Sequence, residues 1–230
     1  MDTNRIIFEN ENFLVINKPS GLVVHPFDHS TEVTLLDFLH THIPKSFLIN
    51  NEKTLLDGRT LSLGGIVHKL DRDTSGILVL AKNETTFHEL KKQFTGHTAQ
   101  KTYLALIEGS LLKNSFTIDG PLGRNKKEYK QSVNPTNPRG ELRSAITDVL
   151  VLAHDETKTL VQLSPKTGRT HQLRAHMAHI GHPIIGDKAY GSTMDSPRIM
   201  LHAQKLSFTL HDKQFSFEAK VPQDFFITIS

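Results

Sequence analysis

The chain has 230 residues, a formal net charge of +3 at pH 7 and a sequence pI of about 9.0. Hydrophobic residues make up 37% of it, which is enough to build the core of one domain. It contains no cysteine, which excludes disulfides, thiolate metal sites and thiol catalysis. Because the sequence shows no signal peptide and no membrane-length apolar run, we expect a soluble, cytoplasmic monomer without an obligate protein partner. The mild positive charge permits an anionic partner.

The predicted elements, in chain order, are strands with helices interspersed irregularly. Apolar runs and turn signals predict strands at 5–8, 13–17, 76–82, 100–108, 145–153 and 159–163, and strands from 199 to 229 with a turn at 211–213. Helical spacing predicts helices at 35–40, after Asn83 and at 170–180, the first capped by Ser30 or Thr31. We expect residues 43–60 to form a loop. This order indicates one α+β domain over 1–230.

The densest group of polar side chains lies between two predicted strands, at residues 65–76. Its sequence is Gly-Ile-Val-His-Lys-Leu-Asp-Arg-Asp-Thr-Ser-Gly. Loops that rigid strands hold in place commonly carry functional side chains. The same composition is also typical of a polar turn, so the residues alone leave both interpretations open.

Two further segments carry positive charge. A loop with Lys166 and Arg169 opens the predicted helix at 170–180, where free backbone N–H groups favour an anion such as phosphate. We expect residues 121–143 to form a mobile basic excursion, whose cations are Arg124, Lys126, Lys127, Lys130, Arg139 and Arg143. The plainer alternatives are a capped helix with surface cations and a solvated loop.

Five motifs, in this order along nearly the whole chain, resemble those of the RluA-type pseudouridine synthases, which modify ribosomal and transfer RNA. They are Asn17–Gly21 with Val24–Pro26, His68–Lys82, Thr167–Arg174, Gly181–Gly191, and Leu201–Ala203 with Leu206. Each motif is weak evidence by itself, whereas the ordered set is highly specific.

The resemblance implies an α+β pseudouridine synthase fold with a mixed, mostly antiparallel sheet, peripheral helices and a catalytic cleft across the sheet. It implies an isomerase that converts specific uridines in rRNA or tRNA to pseudouridine, with no metal and no organic cofactor. The reaction detaches uracil from ribose at N1 and reattaches it at C5, so no energy source or redox carrier is needed.

The resemblance also implies three catalytic residues. Asp71 matches the family's catalytic carboxylate, and Arg174 matches the arginine that pairs with it. Tyr103 matches the tyrosine expected to stack on the uracil and to remove the C5 proton, although by itself it is equally a core residue of a strand. Three roles stay open for Asp71: attack on ribose C1′, attack on uracil C6, or abstraction of the C2′ proton.

RNA recognition requires phosphate contacts and a flipped-out uridine. Our candidate RNA-binding residues are Lys69, Arg72, Arg124, Lys126, Lys127, Lys166 and Arg169. Some family members fill the space left by the uridine with an arginine before Leu-Asp, where this chain has Lys69, a poorer stacking group. We expect no S4 domain, so recognition falls to the catalytic domain itself.

Two other functions compete with this interpretation. A metal-dependent hydrolase would hold Mg²⁺ on Asp71 and Asp73, or zinc on His171, His176 and His179, although the histidine spacing lacks the acid of the usual zinc motif. A non-catalytic RNA-binding protein would share the fold, but it would have no need to keep Asp71, Tyr103 and Arg174 together.

Overall fold

The computed structural model describes residues 5–26, 32–55, 58–124, 130–136 and 138–225. They belong to two compact units. Unit 1 comprises residues up to Ala99 together with Lys205–Lys220, and unit 2 comprises Gln100–Gln204 and the residues from Val221 onward. That residues 1–230 form one catalytic domain stays a prediction.

Unit 1 is built on antiparallel strands and a cluster of phenylalanines. Its strands are β1 (Ile6–Glu9), β2 (Phe13–Lys18), β3 (Glu52–Thr54), β4 (Thr60–Ser62), β5 (Ser75–Ala81), the second half of β12 (Leu201–Leu210) and β13 (Lys213–Glu218). The predicted hairpin of β1 and β2 is confirmed, and β2 also pairs with β5, whose residues are all buried. Phe13 packs among Phe8, Phe208, Phe215 and Phe217, at ring-centre distances of 5.1 to 5.9 Å.

The helices of unit 1 begin at polar caps. Helix α1 (Leu35–His42) begins after Thr34, whose backbone N–H and hydroxyl both donate to the Asp37 carboxylate, so the prediction of Ser30 or Thr31 as its cap was wrong. Helix α2 (Glu84–Thr95) begins after Asn83, whose side chain accepts from the Thr86 N–H at 3.0 Å.

Residues 43–60 do not form the loop that we predicted. They contain a 3₁₀ turn, Pro44–Leu48, and strand β3, which pairs with β4. Strands of three residues carry too little alternation of apolar and polar side chains to be detected in the sequence.

Unit 2 contains a second antiparallel ladder and a separate short hairpin. Its strands are β6 (Gln100–Glu108), β7 (Ser115–Asp119), β8 (Leu122–Arg124), β9 (Gln131–Val133), β10 (Ile146–His154), β11 (Lys158–Pro165) and the first half of β12. Strand β11 pairs with β6 and β10, and β10 pairs with β7. The predicted strands at 100–108, 145–153 and 159–163 are therefore confirmed.

The basic excursion at 121–143 is partly ordered as a hairpin, because β8 pairs with β9. Val133 packs against Leu122, Ala145, Ala175 and Tyr190, which anchors this hairpin to unit 2. Lys126 and Lys127 lie outside the described residues. The described part of the excursion is thus more structured than a solvated loop.

Helix α3 (Gln172–His179) is shorter than the predicted helix at 170–180. It is buried on most sides, with Leu173 and Met177 in the main core of unit 2. The predicted turn between β12 and β13 is confirmed, and His211 and Asp212 occupy it with φ values of 49° and 59°, as in a type I′ hairpin. With three helices among the strands that the structure describes, the predicted α+β class is confirmed. In the described part of the chain, no helix is long and apolar enough to span a membrane.

Candidate active site

Asp71 lies in a tight turn of unit 1 that leads into β5. Its carbonyl oxygen accepts from the Thr74 N–H at 3.2 Å, and its side chain is half-buried. Leu70 on one side of the turn and Thr74 and Ser75 on the other are buried. The ends of the turn are therefore fixed, which holds the Asp71 carboxylate in a defined position.

A buried lysine from another part of unit 1 holds this turn. Lys18, at the end of β2, is completely buried, and its ammonium donates to the carbonyl oxygens of Pro19, Leu22 and Arg72, each at 2.9 Å. The Arg72 carbonyl also accepts from the Gly21 N–H at 2.9 Å. The motif that begins at Asn17 and the motif that contains Asp71 are thus one hydrogen-bonded structure.

The second point of attachment is Ser20, whose hydroxyl donates to the Asp73 carbonyl oxygen at 2.7 Å. Gly21 has a φ of 83°, a conformation that glycine adopts without steric cost. Sequence analysis matched this motif but missed its role. The available signal was a lysine directly before proline at the end of an apolar strand.

The buried ammonium of Lys18 lies near the carboxylates of Asp71 and Asp73. Burial lowers the pKa of Lys18 from 10.5 to about 8, while the nearby carboxylates of Asp73 and Asp71 act in the opposite direction. Lys18 therefore stays a cation at neutral pH, close to the Asp73 and Asp71 carboxylates.

The residues on either side of Asp71 differ in their exposure and their partners. His68 is half-buried, accepts from the Val79 N–H at 3.1 Å and stacks on Phe94 with 4.1 Å between ring centres. Lys69 is exposed, as an RNA contact requires. Arg72, another candidate contact, pairs with Glu32 at 3.1 Å, and both side chains are about half exposed.

Tyr103 lies on β6 in unit 2. It is paired in register with Leu163 and packs, half-buried, against the core of that unit. Its position fits both a core residue and a ring that presents one face to a ligand, so its catalytic role stays a proposal.

Arg174, on α3, is held by Asp187 in a buried, two-pronged ion pair. Its Nε donates to Asp187 Oδ2 at 2.6 Å and its Nη2 to Oδ1 at 2.9 Å. Asp187 is 1% exposed and Arg174 8% exposed. The expected pairing of Arg174 with Asp71 stays a prediction. Sequence analysis did not identify Asp187, because its motif carried no decisive chemistry by itself.

The ring of Tyr190 lies against the same arginine, with Arg174 Cζ 4.8 Å from the ring centre. Asp187 and Tyr190 belong to one turn, since the Tyr190 N–H donates to the Asp187 carbonyl oxygen at 3.0 Å. This turn therefore fixes the guanidinium from its edge and from its face.

The polar side chains at the start of α3 form a hydrogen-bonded chain. Gln172 accepts from the Thr167 hydroxyl and the Arg169 N–H, and donates to the Thr147 hydroxyl. Thr147 bonds His176 Nδ1 at 2.9 Å, and His176 Nε2 bonds the Gly120 carbonyl oxygen at 2.9 Å. This network orients the loop from Thr167 to Arg169.

The histidines in α3 and directly before it have different partners. Both ring nitrogens of His176 are hydrogen-bonded, and His171 Nδ1 bonds the Tyr190 hydroxyl at 3.1 Å. Among the residues that the structure describes, no three metal-binding side chains are close enough to share an ion. The zinc alternative therefore has no supporting geometry in α3.

A basic pocket of about 430 Å³ lies in unit 2, between the short hairpin and the start of α3. Four arginines and Glu141 line it, which gives a net charge of 4 − 1 = +3; the arginines are Arg124, Arg139, Arg143 and Arg169. We call this site, with its four arginines and Glu141, the arginine pocket. The structure thus brings together two candidate RNA contacts, Arg124 and Arg169. Arg139 and Arg143 also line this pocket, although the sequence alone did not single them out as RNA contacts.

Another candidate contact has a carboxylate partner. Lys166 pairs with Asp148 at 2.9 Å on a separate exposed surface. Its availability to a phosphate is therefore lower than that of the arginine pocket.

Comparison with known proteins gives this site its context. A family model described as RNA pseudouridylate synthase matches residues 12–179. The Ribosomal large subunit pseudouridine synthase D of Borreliella burgdorferi is 38% identical over 98% of this chain and 67% of its own length. An uncharacterized RNA pseudouridine synthase of Bacillus subtilis is 38% identical over 95% of this chain and 69% of its own length.

Two solved human structures share the fold. RNA Pseudouridylate Synthase Domain Containing 1 has a TM-score of 0.75 and 28% identity, over 94% of this chain and 83% of that one. Domain Containing 4 has a TM-score of 0.76 and 24% identity, over 97% of this chain and 91% of that one, and shows the fold alone. The predicted fold is therefore confirmed, and the chain belongs to the RNA pseudouridylate synthase family, as an isomerase of uridine in RNA.

Proposed function

We propose that this chain isomerises uridine in large-subunit ribosomal RNA, with Asp71 as the catalytic carboxylate. The name of the relative from Borreliella burgdorferi supports ribosomal over transfer RNA as the substrate. The observation that carries the assignment of Asp71 is its turn, which the buried ammonium of Lys18 holds by way of the Arg72 carbonyl.

The reaction needs an ionised carboxylate at the nucleoside. The N1–C1′ bond breaks, the C5–C1′ bond forms, the proton leaves C5 and N1 gains one, so the product is an isomer. Attack on C1′, attack on C6 and abstraction of the C2′ proton all start from the same ionised Asp71.

Two residues of unit 2 complete the proposed catalytic group. Arg174 is the proposed partner of the Asp71 carboxylate, and Asp187 and Tyr190 hold its guanidinium in place. Arginine suits a bidentate contact because its donors form a rigid fork. Tyr103 stacks on the flipped uracil and removes the proton from C5.

The arginine pocket takes phosphates of the RNA backbone. Three of its arginines are exposed, Arg169 is half-buried, and one carboxylate is shared among four cations. Such an excess of like charge favours a polyanion. Lys69 and Arg72 are proposed phosphate contacts beside Asp71, and Lys69 acts by its charge where some relatives use a stacking arginine. Lys166 is a further proposed phosphate contact, as are Lys126 and Lys127, which lie outside the described residues.

Tritium release from RNA labelled at uridine C5 tests this function. Transcripts of large-subunit rRNA and of tRNA, from the organism that carries the gene, serve as paired substrates. We expect release with the rRNA and mapped pseudouridine at defined positions. Release from tRNA alone would overturn the rRNA assignment. A failure to release tritium from either RNA would favour the non-catalytic RNA-binding alternative.

A further inference from the structure

The hydroxyl group of Tyr190 connects two parts of unit 2 that the proposed function treats separately. Tyr190 is 8% exposed, and its ring lies against Arg174. Its hydroxyl accepts from the backbone N–H of Gln131 at 3.0 Å and bonds His171 Nδ1 at 3.1 Å. One oxygen atom therefore joins strand β9, the residue before α3 and the turn that holds Arg174.

The strand that this oxygen binds is a wall of the arginine pocket. Gln131 lines the pocket and is the register partner of Arg124 across the β8–β9 hairpin. The Arg139 N–H donates to the Arg124 carbonyl oxygen at 2.7 Å, so Arg139 is tied to the same hairpin. A phosphate that orders Arg124 and Arg139 therefore also orders the Gln131 N–H that points at Tyr190.

Packing alone does not require the hydroxyl. The ring contacts of Tyr190 with Val133, Ala175 and the Arg174 guanidinium need only an aromatic side chain. The hydroxyl instead receives two groups from separate elements, and His171 reaches it from a left-handed backbone conformation with a φ of 54°. Non-glycine residues adopt that conformation at an energetic cost, which tertiary contacts must offset.

We propose that the Tyr190 hydroxyl is a positioning group that couples a phosphate in the arginine pocket to the orientation of Arg174. The proposal rests on the proposed function, because Arg174 matters there as the partner of Asp71. The coupling follows a short path. A phosphate binds Arg124 and Arg139 and orders the β8–β9 hairpin. The hairpin in turn positions Tyr190, whose ring lies against the Arg174 guanidinium. Asp187 binds one edge of that guanidinium through two hydrogen bonds, while the Tyr190 ring lies on its face. RNA that fills the arginine pocket therefore improves the alignment of the Arg174 guanidinium.

The Tyr190→Phe variant tests the coupling, because it keeps the ring and removes only the oxygen. At saturating rRNA we expect kcat to fall about tenfold while KM changes less than about threefold, since binding contacts remain. The melting temperature and the circular dichroism of the variant monitor its fold. Ser207→Ala, which removes an exposed hydroxyl on β12, is the control and keeps the wild-type kcat.

A double-mutant cycle with Arg139→Gln measures the coupling itself. In the wild-type background, Arg139→Gln should raise KM and also lower kcat at saturating RNA. In the Tyr190→Phe background it should raise KM only. Wild-type kcat in a folded Tyr190→Phe protein would overturn the proposal, and so would additive effects of the two substitutions on kcat. If Tyr190→Phe fails to fold, Arg139→Gln alone decides, because an effect on KM without one on kcat contradicts the coupling.

The Asp71→Asn variant, assayed in parallel, separates this inference from the proposed function. Turnover by Asp71→Asn at the wild-type rate refutes the proposed function. An inactive Asp71→Asn protein together with wild-type kcat in Tyr190→Phe refutes only the coupling.

Discussion

At the scale of single residues, Lys18 determines the shape of the turn that carries Asp71. We expect Lys18→Met to destabilise the fold by about 2–4 kcal/mol, because the Pro19, Leu22 and Arg72 carbonyl oxygens lose the hydrogen bonds from the buried ammonium. The same change should lower kcat more than it raises KM for RNA. Denaturant unfolding and steady-state kinetics measure the two effects. A variant with wild-type kcat would show that the turn keeps its shape without the ammonium.

The lowered pKa of Lys18 gives a pH dependence with a defined sign. Between about pH 8 and 10.5, the unfolded chain keeps a proton that the folded chain has released, so this group raises stability as pH rises through that window. The rate should fall above about pH 8, because Asp71 loses its neighbouring cation. Unfolding free energies at pH 7.5 and 9.5, compared with those of Lys18→Met, isolate the contribution of Lys18. A larger gain in the variant than in the wild type would contradict this sign.

The catalytic candidates can be identified in the sequence, but the residues that hold them in place cannot. Asp71, Tyr103 and Arg174 follow from motifs along the chain. Lys18 lies 54 residues from the carbonyl that it holds at Arg72, and Asp187 lies 13 residues from Arg174. Motif matching does not reveal such pairs, because they are created by the packing of separate elements.

Among the secondary-structure elements, α3 is unusual because it carries buried polar side chains as well as the apolar ones that face the core. His176 is completely buried, and burial lowers its pKa from 6.5. Below about pH 6.5 the unfolded chain therefore binds a proton that the folded chain resists, so stability should fall as pH decreases. His176→Gln should flatten this dependence in unfolding experiments between pH 5 and 7, whereas His211→Gln, an exposed control, should not. Equal slopes in the wild type and in His176→Gln would contradict the account.

The segment before Asp71 depends on a close approach of two backbones. A Cβ atom on Gly65 would lie 1.8 Å from the Ala81 carbonyl oxygen, so Gly65→Ala should displace the segment from β5 and destabilise the fold by about 3 kcal/mol or more. Gly21→Ala meets no atom within 4 Å and should cost only about 1–2 kcal/mol, from its positive φ. Thermal unfolding compares the two variants. A Gly65→Ala protein as stable as Gly21→Ala would show that the backbone yields there.

Elements were predictable in proportion to their length. The strands and helices of eight residues or more appear in the sequence as periodic runs, and their predicted boundaries differ from the observed ones by at most two residues. Strands β3, β4, β8 and β9 have three residues each and depend on their pairing partners, so local sequence does not identify them.

At the scale of the whole molecule, the placement of charge matters more than its sum. The net charge is +3, and the arginine pocket by itself reaches the same value. We therefore expect RNA affinity to fall steeply with salt, and Arg139→Gln to reduce the slope of log K against log salt by about one unit. Lys213→Gln, an exposed change on β13, should leave the slope unaltered. Filter binding between about 50 and 200 mM salt measures this slope. An unchanged slope for Arg139→Gln would show that Arg139 does not contact the RNA.

The family and the α+β class could both be inferred from the ordered motifs, because those motifs span nearly the whole chain. Their chemistry required the structure. The motif that begins at Asn17 forms hydrogen bonds to the turn of Asp71 in the second motif. The fourth motif supplies Asp187, which binds Arg174 of the third motif. The motifs therefore correspond to two pairs of interacting segments rather than to separate sites.

The most direct test of the account is the yield of pseudouridine in large-subunit rRNA treated with Asp71→Asn. We expect no detectable product, although the variant folds, melts within a few degrees of the wild type and binds the same RNA. Asp212→Asn removes the same charge from the exposed turn between β12 and β13, and should give the wild-type yield. Product formation by Asp71→Asn at the wild-type rate would contradict the central claim that this carboxylate performs the chemistry.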